Sequence, residues 1–465
     1  MDAPTKRLVE YTSAFSESMI TDAARDAALR HLVDSVACAI AGYNSTPGQI
    51  AARVAGSVPF DQGASIIGHT RRVAPDMAAF ANTTMVRTYD WNDGMFAKGG
   101  GHPSDMIAAL LAVGEVADSS PQDVLMAMVL AYELLGSLGD TTPLRAMEWD
   151  QGTFMSIAAA LAMGRLRGLT DDQLGHAIAI VIVIGVPLFV TRVGALSMWK
   201  GSATAAAMRN AVFAVSVAAE GMTGPAEPFE GKSGLWEKVT GPFEPSLPAN
   251  PGGPTVVEMS YMKQFPSELH SQAMIGFAPT IRAFAPVDDI VSLDIETYWH
   301  AWDSIAKGAV KWDPDTRETA DHSLPYLLAV ALVDGTVSLS SFTPERIADP
   351  ALRPIMQKIS VRENDEFTAQ FRPPGMEIIG APRMRVTVRT KSGHELVEDV
   401  TYPKGHSLNP MTSEDVDAKL DVACTGVIPD DRKEEIRSAW WNVEKAASIR
   451  EPMTTLTDFP PSAHA

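Results

Sequence analysis

Cysteine is scarce in this sequence, and its scarcity excludes two classes of protein. The 465 residues contain only Cys38 and Cys424, which lie far apart in mostly apolar stretches. Two such residues do not form the disulfide framework of a small secreted domain, so we expect buried free thiols in a reducing compartment. They also cannot supply the set of thiolates that an iron–sulfur cluster requires.

Positive charge is also in short supply. Lys and Arg number 38 against 57 Asp and Glu, which gives a formal net charge of −19 at pH 7. Nucleic-acid binding needs a basic face that contacts phosphates, and no segment suggests one, so we expect no nucleic-acid partner. The same charge would slow the approach of an anionic substrate unless a local cluster of Lys or Arg offset it.

Long apolar runs are missing as well. The strongest candidate, AIAIVIVIGVPLFV at residues 177–190, is shorter than the roughly 20 residues needed to span a bilayer, and Gly185 and Pro187 interrupt it. The first residues, MDAPTKRLVEYTSAF, lack a basic start followed by an apolar core, so no secretory signal is predicted. We expect no membrane partner and a cytoplasmic location.

Sequence motifs for metals and common cofactors are absent too. The sequence contains no HExxH, no metal-ligand spacing of Cys and His, no Walker loop, no Rossmann fingerprint and no G-x-S-x-G. We therefore predict no metal site and no cofactor. Any chemistry would then depend on side chains alone.

The first half of the chain has helical patterning. Apolar residues recur at intervals of three and four in residues 22–43 and 121–139, and Ser120 and Thr170 are in position to cap helices. No strand pattern competes through residue 220. Gly and Pro then crowd residues 221–255, so regular structure should break there.

Strand-like patterns follow this break. Residues 290–299 alternate β-branched and polar side chains, and residues 384–402 predict a hairpin that turns near Ser392 and Gly393. Between these strands, residues 324–335 and 344–359 have helical patterns.

Helical patterning returns from Ser413 onward. A chain that is helical, then mixed, then helical predicts a mainly α protein with a smaller α+β lid inserted into a large all-helical domain. We predict that residues 1–262 and 403–465 form the helical domain and that residues 263–402 form the lid.

The stretch DWNDGMFAKGGGHPSD, residues 90–105, precedes an apolar helical segment and carries groups suited to catalysis. Its glycines allow a ligand to approach closely, and free N–H groups at a helix start attract anions. His102 would lie at that helix start, with Asp90 and Asp93 near enough to orient it or to act as bases. The alternative is a glycine-rich turn in which Ser104 or His102 is an ordinary cap.

Two lysines are candidate anion contacts. Lys200 begins an Ala-rich helix, where it is either a partly buried cation for a substrate carboxylate or a solvent-facing boundary residue. Arg192 could join it or be surface charge. Lys263 follows the Gly- and Pro-rich break, so it either grips a substrate between body and lid or is a surface lysine of a hinge. His270, in the same segment, could bind substrate, cap or pack.

Tyr326 is a candidate proton donor. It lies in TADHSLPYLLAVAL beside Pro325, which predicts a helix start with the tyrosine facing outward from the apolar face. Half-buried packing is the alternative.

Six blocks, taken in order, resemble the MmgE/PrpD family over most of the chain. They are DWNDGMFAKGGGHPSD, WDQGTFMSIAAALAMGRLRGL, MWKGSATAAAMRN with EGMTGP, MKQFPSELH, TADHSLPYLLAVAL and YPKGH. The resemblance implies a helical domain with an α+β lid, a homodimer, and cofactor-free lyase or isomerase chemistry on small di- and tricarboxylates. Activities in the family include 2-methylcitrate dehydratase, cis-aconitate decarboxylase and iminodisuccinate epimerase.

The resemblance also implies site residues. The family's catalytic positions correspond to Asp93, His102, Lys200, Lys263 and Tyr326. We add a second set as substrate-binding candidates, which comprises Asp90, Ser104, Gln151, Arg192 and His270.

Two residues depart from the family pattern. Gly94 stands where relatives often have Thr, and Gln151 stands where the dehydratase and decarboxylase branches often have His. Glutamine can orient a substrate but cannot exchange protons near neutral pH. The departures leave the substrate open.

Three functions remain as hypotheses. The first is a metal-independent dehydratase acting on a hydroxy di- or tricarboxylate such as 2-methylcitrate, with Asp93 or His102 as base and Tyr326 or His102 as acid. The second is an epimerase, isomerase or decarboxylase of a related dicarboxylate, which Gln151 favours slightly. The third is a helical binding protein without catalysis.

Overall fold

The architecture was obtained as a computed structural model, which describes residues 1–247, 255–372 and 380–460. Residues 248–254 of the predicted Gly- and Pro-rich break, 373–379 of the predicted lid and 461–465 of the predicted C-terminal part lie outside the described residues.

The N-terminal part is mainly helical, as predicted. Its helices are α1 Ala3–Ala14, α2 Asp22–Tyr43, α3 Thr46–Ala55, α4 Pro75–Arg87, α5 Ile107–Ala117, α6 Pro121–Gly139, α7 Gly152–Leu166, α8 Asp171–Ile184 and α9 Trp199–Ala219. The predicted caps are confirmed, because the Ser120 hydroxyl accepts from the Asp123 N–H at 3.1 Å and Thr170 forms a capping box with Gln173.

Small residues allow these helices to pack closely. A Cβ added at Gly42 in α2 would lie 2.1 Å from the backbone oxygen of Met85 in α4, so only glycine permits this crossing. Helices α2, α4, α5, α6, α7 and α9 surround one hydrophobic core. No helix in the described part of the chain is long and apolar enough to cross a membrane.

The predicted all-helical body also contains a pair of strands that no alternation in the sequence indicated. Strand β1, Pro59–Ser65, pairs antiparallel with β2, Arg72–Val73. Glu115 holds the end of β1 by accepting from the Ser65 N–H at 2.7 Å and from its hydroxyl at 2.6 Å. The pairing therefore depends on a buried carboxylate of α5, which local patterning does not reveal.

The central part of the chain contains short helices around one sheet. Its elements are α10 Val256–Met259, α11 Gln272–Phe284, β3 Ile290–Thr297, α12 Trp299–Ile305, α13 Arg317–Ala320, α14 Leu324–Asp334, α15 Pro344–Ile347, α16 Arg353–Met356, β4 Ile359–Glu363, α17 Asp365–Gln370, β5 Met384–Thr390 and β6 Glu395–Val400. The sheet has the order β4-β3-β5-β6, with β3 and β4 parallel and the other pairs antiparallel. The β5–β6 hairpin is the one predicted.

One helix predicted in the lid is wrong. Residues 344–359 form two four-residue helices, α15 and α16, and Ile359 already begins β4. Pro350 and Pro354 interrupt the backbone hydrogen bonds that one continuous helix would need.

The described chain has two hydrophobic cores. One joins residues of α1–α10 to the C-terminal helices α18 Ser413–Cys424, α19 Asp430–Trp441 and α20 Arg450–Thr454. The other lies in the central part, where α11 and α14 pack together and the buried faces of β3 and β5 contribute side chains. The protein is thus mainly α with an α+β portion, as predicted, while boundaries at residues 262 and 402 stay a prediction.

Candidate active site

Asp90 is the centre of a buried charge cluster between the two cores. It follows the last turn of α4 and has a left-handed backbone with φ of 51°, which aspartate tolerates better than most residues. Lys263 Nζ lies 2.6 Å from Asp90 Oδ1, and Lys200 Nζ lies 2.5 Å from Oδ2. Arg87 also donates to Oδ1, so three cations share one carboxylate. We call these four residues the Asp90 cluster.

The cluster combines burial with an excess of positive charge. Burial alone would raise the pKa of Asp90, but Arg87, Lys200 and Lys263 hold it well below its usual value. Burial lowers the pKa of Lys200 to about 8, although Asp90 opposes the shift. Lys200 is 3% exposed and Lys263 is fully buried, so neither is the solvent-facing lysine that the sequence left as an alternative.

Asp93 is enclosed by hydrogen-bond donors. Its Oδ1 accepts from the Ser104 N–H at 2.9 Å and from the Ser104 hydroxyl at 2.5 Å. Its Oδ2 accepts from Tyr132 at 2.7 Å and lies 3.0 Å from His31 Nδ1. Burial would raise the pKa of Asp93, but these contacts lower it. The anion predicted at this helix start is therefore the protein's own carboxylate, and Ser104 is committed to it.

His102 has both ring nitrogens engaged. Nδ1 lies 2.5 Å from the Asp93 carbonyl oxygen and Nε2 lies 2.9 Å from Arg87 Nη2. Because a carbonyl only accepts, Nδ1 carries the hydrogen and Nε2 accepts from Arg87. Burial, then the charges of Arg87 and Lys263, hold the pKa of His102 well below its usual value. His102 is thus neutral and fixed in one tautomer.

Arg87 is a functional candidate that sequence reasoning missed. It is 1% exposed and joins three groups, since it contacts Asp90 and His102 and its Nε lies 3.6 Å from Asp105 Oδ2. Burial raises the pKa of Asp105 to about 6, although Arg87 opposes the shift. The position of Arg87, three residues before Asp90, was the signal in the sequence that could have identified it.

His322 was likewise given no role from the sequence. Its Nδ1 hydrogen-bonds Asp321 Oδ1, while Arg317 Nη1 lies 3.2 Å from Asp321 Oδ2. Its Nε2 lies 3.5 Å from Asp90 Oδ2 and so faces the Asp90 cluster. Burial and the charge of Lys200 lower the pKa of His322, which leaves it neutral at pH 7. An Asp-His pair in the block TADHSLPY was the visible signal.

Gln151 lies at the start of α7, and Arg192, from the short turn between α8 and α9, reaches the neighbouring Asp150. Arg192 Nε lies 2.6 Å from Oδ2 of the buried Asp150, so its orientation is fixed by an ion pair. The Gln151 Nε2 is buried and has no hydrogen-bond partner among the described residues. The charge of Arg192 also opposes the rise in the pKa of Asp105.

His270 and Tyr326 are embedded in the lid core. His270 Nδ1 contacts the Tyr298 hydroxyl, its ring stacks on Phe96, and burial lowers its pKa to about 3. The outward orientation predicted for Tyr326 is wrong: it is fully buried and its hydroxyl donates to the Ser341 carbonyl. The reason is that α14 is surrounded by the lid core and has no outward face in its first turn.

The arrangement is suited to binding and polarising an anion. Three cations meet at Asp90, and two imidazoles, His102 and His322, border the same place. Among the described residues, no group of three or more His, Cys, Asp or Glu side chains is placed to hold a metal ion. Small carboxylates fit such a site, since cations offset their charge.

Known proteins resemble this chain along most of its length. The MmgE/PrpD N-terminal domain matches residues 6–248 and the MmgE/PrpD C-terminal domain matches residues 265–445. The 2-methylcitrate dehydratase of Salmonella typhi is 27% identical over 424 residues, covering 86% of this chain and 85% of its own.

Two fungal relatives give the same picture. The mitochondrial 2-methylcitrate dehydratase of Yarrowia lipolytica is 27% identical, covering 80% of this chain and 75% of its own. The alkylcitrate dehydratase phiI of a fungal species is 26% identical, covering 84% of this chain and 81% of its own. With both domains matched along the chain, the protein belongs to the MmgE/PrpD family.

Proposed function

We propose that the protein is a dehydratase that removes water from a small hydroxy di- or tricarboxylate of the 2-methylcitrate type, without a metal. The observation that carries the proposal is the sharing of Asp90 by Arg87, Lys200 and Lys263, which leaves positive charge in excess at a buried place. The names of the relatives support the reaction class.

The proposed reaction needs cations, a base and an acid. Cations bind the carboxylates and stabilise the charge that develops when a proton leaves the adjacent carbon. Lys200 and Lys263 are suited to this, because each can exchange its contact with Asp90 for a contact with a substrate carboxylate. Lys200, with a pKa of about 8, is also acidic enough to protonate a leaving hydroxyl.

A second candidate is epimerisation or decarboxylation of a related dicarboxylate. Gln151 favours it, since a glutamine amide with an unpartnered Nε2 can bind a carboxylate but cannot donate a proton near pH 7. Both reactions also pass through negative charge next to a carboxylate, so the Asp90 cluster serves them equally.

Proton NMR in heavy water separates these reactions. The purified protein, treated with a chelator, is incubated with 2-methylcitrate, citrate, cis-aconitate and an iminodisuccinate. We expect olefinic signals to appear from 2-methylcitrate at a rate that the chelator leaves unchanged. Deuterium incorporation or inversion without an olefin would support the epimerase instead, and loss of carbon dioxide the decarboxylase.

A pair of lysine variants tests whether the Asp90 cluster carries the activity. Lys200→Met removes a buried cation, and we expect turnover to fall at least a hundredfold. Lys6→Met, on the exposed face of α1, is the control and should keep wild-type turnover. Equal activity of the two variants would contradict the placement of the site. Product binding without turnover by the wild-type protein would favour the binding-protein hypothesis.

A further inference from the structure

His322 is the imidazole of the site whose geometry leaves a ring nitrogen available for chemistry. Its Nδ1 is bound to Asp321 Oδ1, and no hydrogen bond engages its Nε2 among the described residues. We propose that His322, oriented by Asp321, is the general base that takes the proton from the carbon next to a substrate carboxylate. This inference rests on the proposed function.

The tautomer follows from the contacts. Asp321 accepts from two sides, because Arg317 donates to its Oδ2 at 3.2 Å and His322 contacts its Oδ1. An ionised carboxylate only accepts, so the hydrogen of the neutral imidazole is on Nδ1. The lone pair is then on Nε2, which faces the Asp90 cluster. A carboxylate that orients a histidine in this way is a recurrent feature of acid–base catalysts.

The other candidate bases are occupied. Asp93 has donors on both carboxylate oxygens, and Asp90 is shared by three cations, so taking a proton would disrupt established ion pairs. The Nε2 of His102 already accepts from Arg87. His270 contacts Tyr298 through Nδ1, and its ring packs against Phe96 and Phe371. Of the two imidazoles that border the Asp90 cluster among the described residues, His322 is therefore the one whose Nε2 accepts no hydrogen bond.

The solvent exposure of the His322 side chain also supports its assignment as the base. The His322 side chain is 14% exposed, whereas the side chains of Asp90 and Lys200 are 2% and 4% exposed. A substrate entering from solvent would therefore meet the imidazole before the Asp90 cluster. Loss of solvent around the site also strengthens the interaction of each charge with a bound anion.

The protonated state of His322 would be stabilised where it stands. After accepting a proton, the imidazolium would have its Nε2 3.5 Å from Asp90 Oδ2, while Nδ1–H stays on Asp321. An imidazolium between two carboxylates is favourable, and Lys200 opposes it. Glu268 is a further carboxylate near His322. Burial raises the pKa of Glu268, and the charge of His322 opposes that rise.

The step balances as an elimination. The C–H bond breaks and its proton moves to Nε2 of His322, while its electron pair forms the carbon–carbon double bond. The C–O bond breaks on the neighbouring carbon, and the hydroxyl leaves as water with a proton from the Lys200 ammonium. Imidazolium and neutral lysine then restore their protonation states through solvent, so no cofactor is consumed.

The test compares two histidine variants of the lid. His322→Gln keeps a donor for Asp321 and removes the base. We expect kcat to fall about 10²–10⁴-fold, the usual contribution of a general base, with KM changed less than about threefold. His394→Gln changes an exposed histidine in the β5–β6 turn and should behave as wild type. Thermal unfolding of each variant checks that the fold is kept.

The pH profile provides a readout that a structural role would not move. Wild-type kcat/KM should fall below a pH that lies under the usual histidine value, because burial lowers the pKa of His322. This acid limb should be absent from the residual activity of His322→Gln. Asp321→Asn should move the imidazole hydrogen of His322 from Nδ1 to Nε2. We therefore expect a lower kcat with little change in KM.

The outcomes distinguish this inference from the proposed function. If wild type dehydrates 2-methylcitrate and His322→Gln keeps its kcat and its acid limb, the inference is overturned and the proposed function stands. If wild type exchanges the substrate proton with heavy water but forms no olefin, the proposed function fails. In that case, loss of the proton exchange in His322→Gln would still support His322 as the general base.

Discussion

Lys200 shows how one residue is poised by two opposed effects. Burial in the first turn of α9 favours the neutral amine, while the Asp90 carboxylate 2.5 Å away favours the ammonium. The result is a pKa of about 8, close enough to neutrality for the residue to bind an anion and to give up a proton. An exposed lysine has no such range of roles.

The pKa of Lys200 predicts that kcat/KM decreases on the alkaline side of its pH profile. Binding of an anion needs the ammonium, so kcat/KM should fall as the pH rises through about 8. A bound carboxylate favours the charged form, and the limb of kcat should therefore lie at higher pH. Steady-state kinetics from pH 6 to pH 10 measures both.

Lys200→Arg is the matched variant, since a guanidinium keeps its charge over this range. Its residual kcat/KM should lack the limb near pH 8. A limb of unchanged position in Lys200→Arg would assign the titration to another group.

Helix α18 connects the C-terminal end of the chain to the site. Lys419 Nζ lies 2.6 Å from Oδ1 of the buried Asp34 in α2, and it donates to the carbonyls of Trp91 at 2.7 Å and Lys263 at 3.0 Å. It thereby supports the backbone on both sides of the Asp90 cluster. The pKa of Asp34 is raised by burial, with Lys419 opposing the shift.

A buried and a surface lysine of the C-terminal helices should differ sharply in their effect on stability. Lys419→Met leaves Asp34 buried without its cation, and we expect the free energy of unfolding to fall by about 3–5 kcal/mol. Lys433→Met breaks a surface ion pair of α19, in which Nζ lies 3.3 Å from Asp421 Oδ1, and should leave the free energy of unfolding nearly unchanged. Urea unfolding measures both.

The second readout is activity. Lys419→Met should also lower turnover, because it loosens the Lys263 backbone, whereas Lys433→Met should not. Equal turnover of the two variants would show that the C-terminal helix is not a support of the site.

At the scale of the whole molecule, apolar residues remain exposed between α8 and α9. Leu188, Val190, Val193 and Trp199 have exposed fractions of 59%, 72%, 57% and 52%. Exposed apolar side chains that form a contiguous patch are typical of an interaction surface. The family resemblance implies a homodimer, and we propose that a second copy covers this surface.

The double variant Val190→Asp with Val193→Asp tests this surface. Two carboxylates would have to be buried without partners, so the molecular mass in solution should fall from dimer to monomer. Val422→Asp, an equally drastic change at an exposed valine of α18, should leave the mass unchanged. Light scattering behind a sizing column gives the mass. A dimer that survives the double variant would place the interface elsewhere.

The mainly α class, the helix caps at Ser120 and Thr170 and the β5–β6 hairpin were predictable, because each depends on residues a few positions apart. The two lysines were identified through blocks of sequence, and the structure places both beside Asp90, while their role stays a prediction. Strands β1 and β2 were missed, since Glu115 of α5, which anchors β1, lies far along the chain.

The pairing of side chains was decided by tertiary structure alone. Lys200 and Lys263 meet Asp90 from 110 and 173 residues away, and His322 reaches it from the lid. Residue types and local periodicity determined the fold class and most of the candidates. Which carboxylate is saturated and which imidazole keeps a lone pair depends on neighbours that only packing of the two cores brings together, and burial then sets their pKa values.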